Sequence, residues 1–427
     1  MNAPAARRKA ASLPANGAAA SLGFNTGLVL DTMLRHGPIS RVELAGRTGL
    51  GRSTVTEITG RLLRDGQLHF HETSTASEKS GRGRPRVLLS INPRAAYAVG
   101  VRIGVTQITV SVTDFVCEVL GTTKIPFRSS RQPPAVVADV VEDAVRSAVA
   151  SCGLTMDQIG AVCAGVPGIV DAATGICHWS PAFSKLPVRF GDLLEKRLGI
   201  DCTIESHTVP LAAYERLFGR AQDTKSCVVL TIGYGVGMCL VLDGAVYRGA
   251  HGFATEFGHT KAVEGGPLCE CGSRGCLESF AGQRGILLAA AELPEKPFGS
   301  GLPTDDPVLR EQQVEELATR ARAGDAAILG IFQRAGQQIG RSLANLVSVI
   351  DPERIIFAGP TMNTSDLWFD VMREALFGGT RQPVADSVEL VYDRIADDSW
   401  ARGAAALVLH KLYRAGQSRA RRTRRAG

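Results

Sequence analysis

The sequence predicts an α/β protein in which a small basic winged helix-turn-helix head precedes a larger body of mixed strands and helices. Three observations carry that expectation. Residues 21–94 alternate short amphipathic helical segments with turn signals and contain a Gly-Arg-Gly-Arg-Pro run. From Tyr97 onward, glycine-punctuated β patterns alternate with longer helical ones. The charge divides along the same boundary: residues 21–94 carry 11 basic and 6 acidic side chains, whereas residues 95–413 have a net charge of −8 in a chain whose total is +6. A cationic head on an acidic body is the electrostatic footprint of a polyanion-binding module joined to a separate domain.

The head is expected over residues 21–92, after an Ala-rich basic tail of residues 1–20. Asn25 to Arg35 reads as a helix with Leu28, Leu30, Met33 and Leu34 on its apolar side, and Gly37-Pro38 ends it. Ser40-Arg41-Val42-Glu43 is a capping box, and the short helix it opens ends near Thr48, with Gly49 supplying the turn. A second helix is expected from Arg52 to Arg64, burying Val55, Ile58 and Leu62. Arg52, Ser53, Thr54 and Thr56 at its start, with Arg61 farther along, are polar and cationic groups suited to base edges and phosphates in a DNA major groove. Leu68-His69-Phe70 and Val87-Leu88-Leu89 read as the strands of a wing. Its Arg82, Arg84 and Arg86 can enter a narrow minor groove or grip phosphates. Together these elements predict double-stranded DNA as a partner.

The body is expected over residues 93–413, with a disordered Arg-rich tail at 414–427. Ala98–Gly104 and Thr109–Val112 read as a β-hairpin. Strands at Ile159–Ala164, Val228–Ile232, Met238–Leu242 and Arg354–Phe357 alternate with helices at Val136–Ala150, Val314–Arg322 and Ala326–Ile350, the texture of a mixed sheet. Pro294 to Pro307 reads as an exposed loop. Gly233-Tyr234-Gly235-Val236-Gly237, between two strands, is either a phosphate-approaching turn or a tight hairpin. No apolar run is long enough to span a membrane and no signal-peptide core follows the basic start, so a cytoplasmic, nucleoid-associated protein is expected.

Ten cysteines in this chain point to a reduced compartment, and three of them form a local cluster. His259 is followed by Cys269-Glu270-Cys271-Gly272-Ser273-Arg274-Gly275-Cys276. Three thiols and an imidazole are a closed tetrahedral donor set, so one structural Zn²⁺ per chain is expected at His259, Cys269, Cys271 and Cys276.

At this point the motifs align with a known family. The wing, Gly165-Val166-Pro167-Gly168-Ile169-Val170-Asp171, the Gly233–Gly237 turn, Gly258-His259 with the cysteine run, Cys276-Leu277-Glu278 and Asp351-Pro352-Glu353-Arg354-Ile355-Ile356 are collinear. The span from about Asn25 to Tyr413 resembles the ROK family of repressors and sugar kinases, specifically its N-acetylglucosamine- and xylose-repressor-like regulators. The resemblance implies a two-lobed actin/hexokinase-like body with a sugar cleft, zinc, and homodimers or homotetramers. It also implies sugar hydroxyls held by Glu256, His259 and Glu278, with Ser206 and His207 lining the same cleft.

Two departures separate the chain from the kinases it resembles. Where they carry Gly-x-Asp-x-Gly-Gly-Thr, this chain reads Gly100-Val101-Arg102-Ile103-Gly104-Val105-Thr106. Where they carry Glu-Asn-Asp-Ala-Asn, it reads Glu205-Ser206-His207-Thr208-Val209. A cation cannot hold Mg²⁺, and phosphoryl transfer depends on metal-assisted charge stabilisation. The expectation is a non-enzymatic regulator, a repressor of carbohydrate genes that binds a pseudo-palindromic operator and answers to a sugar or sugar-phosphate effector. The alternative is an ATP-dependent sugar kinase with an added DNA-binding head.

Overall fold

The computed structural model describes residues 16–71, 87–298, 304, 306–392, 396 and 398–415. The described residues form two compact units: a head from those within 16–96, 114–116 and 409–415, and a body from those within 97–113 and 117–408.

In the head, α1 spans Asn16–His36. It is longer than the expected Asn25–Arg35 segment and takes up the last five residues of the stretch expected as an N-terminal tail. Ala18, Ala19 and Ala20 are strong helix formers that extend it. A short strand, β1 (Ile39–Ser40), leads into α2 (Arg41–Thr48). The capping box forms as the sequence requires: Glu43 N–H donates to Ser40 Oγ at 3.3 Å, and Ser40 N–H donates to Glu43 Oε2 at 3.0 Å. Gly49 ends α2 in the left-handed region at φ 71°. Then α3 runs over Arg52–Arg64, and the strands β2 (Leu68–Phe70) and β3 (Leu88–Ile91) join β1 in the order β1-β3-β2. Val29, Leu30, Met33, Leu44, Val55, Ile58 and Leu62 are all buried in its core. Arg61, expected on the outward face, instead donates to Thr26 Oγ1 of α1 at 2.6 Å. The wing tip, with Arg82, Arg84 and Arg86, lies outside the described residues, as do the tails at 1–15 and 416–427. Ser40→Ala should cost the head about 1 kcal/mol, the usual worth of an N-cap side chain. Hydrogen exchange at the α2 amides of the full chain should read this as faster opening.

The body repeats one plan. Strands β4 (Tyr97–Ile103), β5 (Gln107–Thr113) and β6 (Val119–Pro126) form an antiparallel meander. After α4 (Pro134–Ser151), β7 (Ile159–Val166) adds parallel to β4. The β8–β9 hairpin (Ile169–Asp171, Ile176–Trp179) and α5 (Phe190–Leu198) follow, and β10 (Cys202–Ser206) adds parallel to β7. The sheet order is β10-β7-β4-β5-β6. After α6 (Thr208–Leu217), strands β11 (Cys227–Ile232), β12 (Val236–Leu242) and β13 (Ala245–Tyr247) make a second meander. Helices α7 (Glu278–Ala281), α8 (Gln283–Ala291), α9 (Pro307–Arg322) and α10 (Ala326–Ile350) precede β14 (Arg354–Ala358), which adds parallel to β11. Helices α11 (Phe369–Gly378) and α12 (Gln382–Ala385) lead to β15 (Glu389–Tyr392), and α13 covers Ser399–Ala415. The second order, β13-β12-β11-β14-β15, is the first with each strand replaced by its counterpart. Two lobes with one topology are what the resemblance implied.

Each lobe has its own core. Val99, Val101, Val110, Val141, Phe190 and Leu194 pack in the first, and Val228, Leu230, Phe332, Leu343 and Phe357 in the second. Helices α6 and α13 press against them with no room to spare: a Cβ on Gly100 of β4 would overlap the Ala401 carbonyl, and one on Gly403 would overlap the Pro210 carbonyl. This contact fixes where Trp400, in the first turn of α13, sits. The stretch expected as loop, Pro294 to Pro307, ends earlier than its sequence implied, since Pro307 opens α9 and is buried. Among the described residues, no helix is long and apolar enough to cross a membrane.

Candidate functional site

The body encloses a cleft of about 240 Å³. Its lining comes from the end of β4 (Arg102 to Thr106), the β10–α6 junction (Ser206 to Thr208), the β11–β12 turn (Gly233 to Gly237), the segment 255–278 and Trp400. All five residues expected at the ligand, Ser206, His207, Glu256, His259 and Glu278, line it. The glycine turn is a tight hairpin closing the Ile232–Val236 pair, and Gly233 to Gly237 line the cleft. One of its amides is already engaged, because Val236 N–H donates to Glu278 Oε2 at 3.0 Å. Burial raises the Glu278 carboxyl above the usual carboxylate range.

The metal-binding candidates converge. Ligand atoms of His259, Cys269, Cys271 and Cys276 lie within 4.8 Å of one another. His259 Nδ1 is 3.6 Å from Cys269 Sγ, and the Sγ atoms of Cys271 and Cys276 are 3.7 Å apart. A tetrahedron with Zn–S of about 2.3 Å and Zn–N of about 2.0 Å has edges of about 3.5–3.8 Å, so this donor set has the size of a zinc site. Two isolated β-bridges, Lys261–Cys276 and Leu268–Arg274, fold the loop back on itself. Lys261 Nζ lies 3.4 Å from Cys276 Sγ, where a cation favours the thiolate. Although burial opposes it, the Ser273 amide and the neighbouring thiols lower the Cys271 thiol to about 7. His259 joins the two sites, with Nδ1 toward the thiols and Nε2 3.8 Å from Glu256 Oε2. Glu278 does the same, its Oε1 lying 3.7 Å from Cys269 Sγ.

Arg102 and His207 share one wall of the cleft. The Arg102 guanidinium sits over the Trp400 ring, 4.3 Å from its centroid. His207 precedes α6 as its N-cap residue without capping it. Burial, and then the nearby Arg102 charge, lower the His207 imidazole to about 4.

Two arginines that brace the region around the cleft were not visible in the sequence. Arg248 pairs with Glu205 through two contacts, Nη2 to Oε1 at 2.7 Å and Nε to Oε2 at 3.3 Å, joining β10 of one lobe to the segment after β13 of the other. Arg310 of α9 is 1% exposed. It donates to the Thr304 carbonyl at 2.6 Å and to Glu270, between two of the candidate metal-binding cysteines, at 3.2 Å, and stacks 5.0 Å from the Tyr234 ring. No pattern of residue types marks either arginine, because each partner is distant in sequence. In the head, Arg52, Ser53 and Thr56 are exposed at the start of α3, while Thr54 is half-buried. The α3 N-terminus has no side-chain cap.

Comparison with known proteins places this geometry. The chain is 27% identical over 401 residues to the putative xylose repressor of Caldicellulosiruptor sp. Rt8B.4, covering 91% of this chain and 96% of that protein. It is 24% identical to the DNA-binding transcriptional dual regulator NagC of Escherichia coli K12, over 90% and 92% of the two chains. A solved ROK family transcriptional regulator, described as a homologue of the E. coli MLC protein, superposes with a TM-score of 0.75 at 26% identity. It covers 92% of this chain and 97% of its own. A ROK family glucokinase from Streptomyces griseus reaches a TM-score of 0.59 at 27% identity but covers 73% of this chain while matching 99% of its own. The ROK family profile itself matches residues 98–411. A profile match across that much of the body, on a doubled five-strand plan with a His-Cys cluster beside the cleft, establishes that the chain belongs to the ROK family.

Proposed function

We propose that the protein is a sequence-specific DNA-binding transcriptional regulator, a repressor of carbohydrate uptake or catabolism genes, controlled by a sugar or sugar-phosphate effector in the body cleft. The observation that carries the reading is the span of the likeness: the repressor relatives match about nine-tenths of this chain, whereas the glucokinase matches 73%. Arg52, Ser53, Thr54 and Thr56 contact bases and phosphates in the major groove, and Arg82, Arg84 and Arg86 hold the minor groove or its phosphates. Two heads of a homodimer, alone or within a tetramer, read a pseudo-palindromic operator in the cytoplasm.

In the cleft, Glu256, His259 and Glu278 hold sugar hydroxyls by directional, partly charge-assisted bonds, with Ser206 and His207 alongside. His259, Cys269, Cys271 and Cys276 hold one Zn²⁺, which supplies a structural crosslink. The cleft is not catalytic. Arg102 repels the Mg²⁺ that a phosphoryl donor needs, and a His207 imidazole held near 4 is a weak base for a sugar hydroxyl. Effector binding draws the lobes together and shifts the spacing of the heads away from the operator.

Selection of genomic fragments at ~150 mM salt, a concentration at which phosphate-only binding is weakened, tests the reading. Recovery of a few palindromic sites released by one sugar is expected; sequence-indifferent capture, or ATP turnover with any sugar, overturns it. Arg84→Ala should weaken operator binding and reduce the slope of log affinity against log salt by about 1. An unchanged slope removes Arg84 from the interface.

A further inference from the structure

We infer that Glu57 of α3 reads the operator directly, selecting a cytosine at one position of each half-site by accepting from its exocyclic amine in the major groove. The inference rests on the DNA-binding reading of the head and adds a specificity-determining residue to it.

Helix α3 turns one face to the core of the head and the opposite face away from it. Val55, Ile58, Thr59 and Leu62 are buried. At about 100° per residue, the positions farthest from that buried face are Ser53, Glu57, Gly60 and Arg64, spaced i, i+4, i+7 and i+11. Ser53, Glu57 and Arg64 are exposed. Gly60 has no side chain, and a Cβ there would have Arg64 Nη1, at 3.8 Å, as its nearest neighbour beyond the helix backbone. The outward face is therefore low beside Glu57, where the helix can approach a groove floor closely. Glu57 is the sixth residue of α3, in the N-terminal half that reaches base edges when such a helix lies in the major groove.

A carboxylate at the centre of this face is out of place in a basic head. The usual role of a helical Glu is an ion pair with a cation four residues on. Here that cation is Arg61, whose guanidinium donates instead to Thr26 Oγ1 at 2.6 Å. Gly60 stands at i+3, and Ser53 and Thr54 stand at i−4 and i−3. Among the described residues the Glu57 carboxylate has no hydrogen-bond or ion-pair partner. Facing DNA, it is repelled by the phosphates and by every acceptor on a base edge. Guanine offers it the acceptors N7 and O6, thymine the acceptor O4, and adenine a donor beside the acceptor N7, whereas cytosine offers the N4 amine alone. Glu57 thus penalises three bases at its position and accepts a hydrogen bond from the fourth.

Selection from a randomised duplex pool by the full-length protein at ~150 mM salt, followed by titration of the recovered operator and its single-position substitutions, tests this. One position of each half-site should be fixed as C·G, with any other pair there binding about tenfold or more weakly. Glu57→Ala should bring the four pairs at that position close to equal, chiefly by tightening the mismatched operators, and leave the other positions unchanged. Glu57→Gln should move the preference at that position to A·T, because an amide pairs with adenine N6 and N7. A Glu57→Ala protein that binds every sequence more tightly by one common factor, with its preferences intact, has lost only a solvated charge, and that result overturns the inference. So does a parent operator with no fixed C·G pair, which leaves the DNA-binding reading standing. A parent protein that recovers no common sequence removes that reading and this inference with it.

Discussion

Replacing Cys271 by Ser, or stripping the metal with a chelator, should lower the thermal unfolding midpoint by several degrees and weaken ligand binding in the cleft together. The loop that carries the four candidate ligands has little regular secondary structure. Between β13 and α7 its only regular elements are a single 3₁₀ turn at Phe257–His259 and two isolated bridges. Yet this stretch supplies Glu256 and His259, and Glu278 follows immediately after it. A structural zinc contributes about 10–16 kcal/mol in small finger peptides, where it is the folding energy itself. Here the second-lobe core of Val228, Leu230, Phe332 and Phe357 forms without it, so the loss should stay local. For a domain of this size each kcal/mol lowers the midpoint by about 2–4 °C. Sugar affinity should fall by more than about tenfold, because ligand-orienting residues around a metal site commonly carry that much. Metal analysis, calorimetry and sugar titration on the same preparation test the claim. A Cys271→Ser protein with one full equivalent of zinc and the parent melting curve would contradict it.

Gly100→Ala should be severely destabilising, by more than about 3 kcal/mol, although it adds one methyl group. That methyl would overlap the Ala401 carbonyl and lie too close to the Ala405 amide, both backbone atoms of α13. Neither can turn aside as a side chain does, so the helix must shift as a whole. Trp400 would move with it and leave Arg102, and the damage should appear in ligand binding as well as in thermal unfolding. Gly46→Ala is the matched comparison. Its added Cβ meets nothing within 4 Å in the interior of α2, so it should be neutral or stabilise by up to about 1 kcal/mol. Equal melting temperatures for the two variants would show that α13 is not seated on β4 as described.

Local chemistry was readable in the sequence and long-range chemistry was not. Helix α3 and helix α10 occupy their expected bounds, Arg52–Arg64 and Ala326–Ile350, because each is framed by its own start and stop signals. The zinc candidates come from 18 residues, so spacing alone brought them together. Helix α1 outran its expected start because propensity rather than amphipathic pattern extends it. One wall of the cleft draws on β4, the β10–α6 junction and α13, about 300 residues apart, and no local pattern announces that Trp400 reaches Arg102. The resemblance supplied the two lobes before any strand order was known, and the repeated topology gives that expectation its physical content.

The Glu205–Arg248 pair has a mechanical consequence. Glu205 is 6% exposed, so separating it from Arg248 would strand a buried carboxylate, a loss of about 3–5 kcal/mol for a fully buried pair and less with Arg248 partly exposed. Opening that broke this contact would be rare. The two lobes are therefore stapled at this point, and the more exposed Arg128–Asp306 pair adds a second, weaker tie between them. A force that moves one lobe must carry the other with it through these ties, or break the exposed one first.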